Sequence, residues 1–293
     1  MLDLKKYSDA FEELIRLAST DLPIEVEERI RAGFKQEDEG STAKSCLGNI
    51  LENIALARSK SFPMCQDTGT NIYIIHTPVG VRQQDIKDLI QAATLEATRK
   101  GYLRPNTVDT LTGESLVANW GEGQPFFHFE QWDKNLIEIT LILKGGGCEN
   151  VGIQYSLPDK SIDAGRDING IKRCLIDAVY QAQGKGCSPG VLGVGIGGDR
   201  ASSYLLSKQQ FKRSINSVNP NPTIKAMEEE IYKKANQLEI GPMGYEGKTT
   251  LLGVLIGAQT RIPASYFVSV SYMCWTFRRW TMTIDDRGVS YAS

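Results

Sequence analysis

Apolar positions along this chain recur with helical spacing in some stretches and as short continuous or alternating runs in others. Over residues 4–18, Phe11, Leu14, Ile15 and Leu17 fall on one side of a helix. Helices are also predicted over Ile24–Gln36, 45–59 and 84–101, the last with Ile86, Leu89, Ile90 and Ala93 as its apolar stripe. A further helix spans 167–184 and closes at a glycine, the residue a C′ position prefers. Two more cover 201–212 and 223–238, separated by Asn219-Pro-Asn-Pro222. Strands are predicted over 71–76, 136–143, 191–196, 248–257 and 266–273, with a strand-like or frayed end. The segment 136–143 empties into Lys144-Gly-Gly-Gly147-Cys148-Glu149-Asn150. No repeat, low-complexity tract or long linker interrupts the pattern. The expectation is an α+β fold with mixed sheets flanked by helices, as a single domain over 1–293.

Composition narrows the function classes. The chain has 293 residues, enough for a full hydrophobic core. A formal net charge of -2 gives no electrostatic reason to expect nucleic acid or a membrane surface as partner. The start lacks an apolar h-region and no apolar run is long enough to span a bilayer, so a cytoplasmic location is expected. Of six cysteines (46, 65, 148, 174, 187 and 274), none forms a CxxC pair. In a cytosolic chain they are reduced thiols, ligands or core residues. With two histidines, His76 and His128, a His-rich metal site is excluded.

Three of the cysteines sit apart in polar or Gly- and Pro-containing turns. Cys65 lies in Pro63-Met-Cys-Gln-Asp-Thr-Gly69, Cys187 in Gly186-Cys-Ser-Pro-Gly190, and Cys274 precedes Trp275 and the pair Arg278-Arg279. Three thiolates can hold three corners of a cubic iron–sulfur cluster, leaving the fourth iron open as a Lewis acid. Cys65-Gln66-Asp67 reads equally as a polar turn with one buried thiol. The glycine run after Lys144 is either an anion-binding nest or a flexible hairpin loop, and Cys148 is a fourth candidate thiol. Arg104 suits a carboxylate clamp, although a lone arginine is more often simply solvated. Gly193-Val-Gly-Ile-Gly-Gly198 matches a dinucleotide fingerprint, but 214–220 lacks the acid and the second strand that the fingerprint requires.

As an ordered set, Cys65-Gln-Asp-Thr-Gly69, Lys144-Gly-Gly-Gly147, Pro189 to Gly198 and Cys274-Trp-x-x-Arg278-Arg279 resemble the α subunit or N-terminal region of class I fumarases and the related L-tartrate dehydratases. The resemblance runs from about Cys46 to Arg279. It implies the N-terminal fold type of these iron–sulfur hydro-lyases. It also implies a [4Fe-4S] cluster on Cys65, Cys187 and Cys274, with Cys46 and Cys174 in the core and Cys148 near the site without being a ligand. Gln66, Asp67, Arg104 and the Gly146–Gly147 backbone are implied around the substrate carboxylates. Asp67 is the best candidate for a share in acid–base work. The implied reaction is reversible hydration of fumarate to L-malate. L-tartrate dehydration to oxaloacetate is the alternative, and mesaconate or another small dicarboxylate is also open. Rivals from other classes are a non-enzymatic iron–sulfur protein and a nicotinamide dehydrogenase.

Two departures from the family pattern bear on this. Its members carry a substrate-contacting histidine about a dozen residues before the third cysteine, where this chain has Arg261-Ile262-Pro263. Single-chain relatives continue into a swivelling β domain absent from this sequence. A separate β subunit is therefore expected, in a hetero-oligomer or on a homodimer of α.

Overall fold

The computed structural model describes residues 4–116 and 118–293. After a 3-10 turn come the helices α1 (Ser8–Thr20), α2 (Ile24–Gln36) and α3 (Thr42–Lys60). Next are β1 (Thr70–Thr77), α4 (Gln83–Arg99), the short pair β2 (Thr107–Val108) and β3 (Ser115–Leu116), β4 (Phe126–Gln131) and β5 (Ile137–Lys144). They are followed by α5 (Gly146–Asn150), β6 (Ile153–Ser156), α6 (Ile168–Ala182), β7 (Gly190–Ile196), α7 (Arg200–Gln209) and α8 (Pro222–Asn236). The chain closes with β8 (Leu251–Ala258), β9 (Phe267–Met273), β10 (Arg278–Asp285) and β11 (Gly288–Ala292). Mixed sheets flanked by helices therefore form, as the periodicity predicts.

The elements group into two compact units, each assembled from separate stretches of sequence. The first comprises the chain up to Pro23, Glu52–Gly145 and Arg278–Ser293. Its five-stranded sheet has the order β11-β10-β5-β1-β4. Only the β1–β4 pair is parallel. Tyr73 pairs with Leu141 and Ile75 with Ile139, so these four side chains share one face. That face packs with Phe11, Leu14, Ile15 and Ala18 of α1 and Ile86, Ile90 and Ala93 of α4. These are the apolar stripes visible in the sequence. Each fully buried Leu, Ile or Phe contributes about 1.5–3 kcal/mol through removal of apolar surface from water.

The second unit comprises Ile24–Leu51 and Gly146–Phe277. Its sheet has the order β6-β9-β7-β8, with β7 parallel to β8 and antiparallel to β9. Helix α7 crosses β7 so closely that side chains at Gly193 and Gly195 would collide with the carbonyls of Ser207 and Ser203. The Gly-x-Gly of the dinucleotide fingerprint thus serves helix–sheet packing. Buried hydroxyl pairs complete the contact: Ser203 with Ser269 and Ser207 with Ser271, both at 2.8 Å. Asp199 caps α7 by accepting from the Ser202 amide at 2.7 Å.

Some local expectations change. Residues after Lys144 form a one-turn helix, α5, in place of a hairpin loop. Helix α6 ends at Ala182, and Gln183, with φ 47°, takes the left-handed position expected of Gly184. The strands β4 and β6 are additions to the sequence pattern. Among the described residues, no helix is long and apolar enough to cross a membrane.

Candidate active site

In the first unit, the chain enters the Cys65 turn from two anchors. The Met64 amide donates to Ser19 O at 3.0 Å, and Asn53 Nδ2 donates to Met64 O at 2.8 Å. Past the cysteine, Asp67 Oδ1 accepts from the Gly69 amide at 2.9 Å, closing a tight Asx turn. Gly69 makes this turn possible. Its φ is +81°, and a Cβ there would stand 2.8 Å from the Lys144 backbone. The Cys65 thiol is half-buried, Gln66 is exposed and Asp67 is half-buried, so all three present polar groups at the rim of this unit.

Two arginines bond to the backbone of the turn. Arg278, 1% exposed, donates from Nη1 to Asp67 O at 2.8 Å. Lys144 and Arg279 are buried as well, at 2% and 3% exposure. Three buried cations at the ends of paired strands are unusual, because Lys and Arg are almost never fully buried in a folded protein. Arg104 is the exposed one. Its amide donates to Thr68 Oγ1 at 3.2 Å, and its Nη1 lies 3.4 Å from Gln66 O. Asn119 accepts from the amide of Asn106 at 2.6 Å and donates to Arg104 O, which fixes the Arg104 segment. His76 is engaged elsewhere, lying 3.3 Å from Glu130 and 3.6 Å from Glu138 with its ring stacked on Trp132.

In the second unit, the Cys187 and Cys274 turns meet. The Trp275 amide donates to Cys187 O at 3.3 Å. Cys187 itself has φ 55°, and its amide donates to Gly184 O at 3.0 Å. The buried Ser188 hydroxyl donates to Gly241 O at 2.6 Å, and the Met243 amide donates back to Ser188 O at 2.8 Å. This holds the Cys187 turn against the segment 241–244. Cys274 Sγ lies 2.9 Å from Thr276 Oγ1. The ring of Tyr272 presses on the Cys187 turn: a Cβ on Gly186 would lie 2.7 Å from the ring, and one on Gly190 would collide with it. Burial raises the Tyr272 phenol far above its ordinary range, and the neighbouring thiols of Cys274, Cys148 and Cys187 raise it further. Gly146 and Gly147 are exposed at the start of α5, with Cys148 buried behind them.

The remaining cysteines behave differently. Cys174 is fully buried, and desolvation pushes its thiol up to about 12, with the carboxylates of Asp159 and Asp177 adding to the effect. Cys46 is half-buried, and burial raises its thiol too. At the position of the family histidine, Ile262 is 66% exposed. Arg261 next to it stacks on Tyr266 at 3.9 Å and donates to the carbonyls of Ile262, Pro263 and Ser265 at 3.1 to 3.3 Å. Among the described residues, no three His, Cys, Asp or Glu side chains converge as on a single metal ion. A cubic cluster asks for something else, one thiolate at each of separate corners. Ser188 and Tyr272, which contact the Cys187 turn or the segment that holds it, are residues to which the sequence reading gave no role. The glycines on either side of Cys187 were the available signal, since paired glycines flag close approach of a bulky group.

Comparison with known proteins identifies the family of the chain. Residues 8–283 match the family described as fumarate hydratase (fumerase). A provisionally named class I fumarate hydratase of Geobacillus stearothermophilus is 50% identical over 285 residues, covering 96% of this chain and 55% of that protein. A provisionally named L(+)-tartrate dehydratase subunit alpha of Methanocaldococcus jannaschii is 34% identical, over 94% of this chain and 96% of its own length. The L(+)-tartrate dehydratase subunit alpha of Escherichia coli K12 is 27% identical, over 96% of this chain and 91% of its own. The chain thus spans about half of the Geobacillus protein and nearly all of the two alpha subunits. With the family match running across both units and through all three cysteine turns, the chain belongs to the fumarate hydratase family, class I, and is related to the L-tartrate dehydratase alpha subunits.

Proposed function

We propose that this chain is the cluster-bearing part of a hydro-lyase that reversibly hydrates fumarate to L-malate, with Cys65, Cys187 and Cys274 holding a [4Fe-4S] cluster. The observation that carries the reading is the union of the Cys187 and Cys274 turns through the Trp275 amide. Two soft thiols on joined turns, beside a buried hydroxyl without a partner, fit a sulfur-rich group. When bound, such a cluster supplies one iron that no protein thiolate occupies, a Lewis acid toward a substrate oxygen.

The chain's own residues do the rest. Arg104 offers a guanidinium to one substrate carboxylate. Gln66 and the exposed Gly146–Gly147 backbone offer neutral donors to the dicarboxylate. Asp67 is the proton carrier at the carbon next to a carboxylate, its side chain oriented by the bond from the Gly69 amide to one oxygen. Negative charge builds up there during proton removal, and cations at that end of the first unit stabilise it. A separate β subunit completes the enzyme, a reading supported by the alpha-subunit names of two relatives.

L-tartrate dehydration to oxaloacetate is the second reading. It is favoured by near-complete coverage of two proteins that bear that name. Iron and acid-labile sulfide in anaerobically purified chain test the cluster, with about four of each expected. Assays with the β subunit on fumarate, L-malate, L-tartrate and mesaconate then separate the substrates. Tartrate turnover without fumarate turnover overturns the first reading.

A further inference from the structure

Tyr272 is 2% exposed, and its hydroxyl has no hydrogen-bond partner. A buried hydroxyl left this way destabilises the fold relative to a phenylalanine of the same shape. The cost is incurred at a particular place. Tyr272 lies two residues before Cys274 on β9, and its strand partner on β7 is Leu192. Its ring fills the space left by Gly186 and Gly190, the two glycines that bracket Cys187. A hydroxyl is a donor as well as an acceptor, and Cys274 follows Tyr272 by two residues, just past the end of β9, the spacing that returns side chains to one face of a sheet.

We infer that the Tyr272 hydroxyl donates a hydrogen bond to a sulfur of the bound cluster. This rests on the cluster reading and goes beyond it by adding a positioning residue that is not itself a ligand. A donor aimed at sulfur stabilises the more negative cluster state and so raises the reduction potential. It also holds the sulfur against loss to competitors. The hydroxyl thus lowers the stability of the empty protein and raises that of the loaded one.

Tyr272→Phe keeps the ring that packs on the Cys187 turn and removes only the donor. Wild-type and Y272F full-length chains are reconstituted anaerobically. Iron and sulfide are counted, the potential is measured by EPR-monitored titration, and iron release to a chelator is timed. Unfolding of both apo forms is followed alongside. The expected result is equal initial iron in both, a more negative potential in Y272F and release faster by roughly tenfold, the weight of one hydrogen bond to a charged acceptor. Apo Y272F unfolds no lower than apo wild type. Wild-type chain that takes up no iron and sulfide overturns the cluster reading itself. Wild-type uptake with potential and release unchanged in Y272F overturns this inference alone. A Y272F chain that fails to fold, or unfolds lower in both states, makes the hydroxyl structural and also overturns it.

Discussion

Arg278 and Asp67 stand 211 positions apart in sequence, yet the Arg278 guanidinium donates to the Asp67 main-chain carbonyl at 2.8 Å. A buried cation from the last part of the chain therefore braces the turn that carries Cys65. The brace acts on the backbone, while the Asp67 carboxylate itself accepts from the Gly69 amide.

Replacing Arg278 by Met removes this donor while filling much of its volume. A hydrogen bond from a charged group is worth about 1.5–3 kcal/mol. Urea unfolding of Arg278→Met should show a loss of that order, together with reduced iron retention. An unchanged midpoint would mean that the turn is held by something else.

Gly69→Ala places a side chain at φ +81°, with its Cβ 2.8 Å from the Lys144 backbone. Left-handed strain and overpacking each cost on the order of 1–3 kcal/mol. The expected outcome is a clear fall in thermal midpoint. Gly80, with φ +90° and open space around it, is the control: its alanine variant should lose only the conformational part.

The proposed ligands separate from the bystanders by metal content. Serine at Cys65, Cys187 or Cys274 should lower iron and sulfide sharply, whereas Cys174→Ser should keep both. Cys174 is fully buried, so its variant also reports whether loss of iron follows merely from disturbing the core. Equal loss in all four variants refutes the ligand assignment.

The Cys174 thiol gives a pH dependence with a definite sign. Its folded value is pushed up to about 12 from an ordinary 9.0. Between those values the unfolded chain releases a proton that the folded chain keeps. The contribution is intact below pH 9 and is lost as pH rises toward 12. Buried Tyr73 shifts the same way, so wild-type stability should fall steeply over this range. Cys174→Ala should soften the fall, measured as unfolding midpoints at pH 8, 9, 10 and 11. Iodoacetamide mapping of the apo chain at pH 8 should label half-buried Cys65 and Cys187 well before Cys174.

Much of the secondary structure was legible in the residues because it rests on local periodicity. The predicted Ile24–Gln36 helix is α2 itself, and the stripe of Phe11, Leu14 and Ile15 is the buried face of α1. Strands β4 and β6 were not legible. Phe126 in β4 is 42% exposed at the edge of its sheet, so no alternation of burial marks that strand. The start of β10 hides for the opposite reason: Arg278 and Arg279 are both buried, and charged residues do not announce a core strand.

By itself, the sequence determined the helices, most inner strands, the three cysteine turns and the family they resemble. Each depends on spacing within a dozen or so residues, or on short motifs in a fixed order. Tertiary structure alone decided which distant groups share a neighbourhood. It put the Arg278 guanidinium on the Asp67 carbonyl, joined the Cys187 turn to Trp275, and set the ring of Tyr272, whose hydroxyl has no partner, against Gly186 and Gly190. It also turned a glycine run that looks like a nucleotide fingerprint into the close crossing of α7 over β7. These relationships follow from strand order and layer packing, which bring together residues that no local period connects.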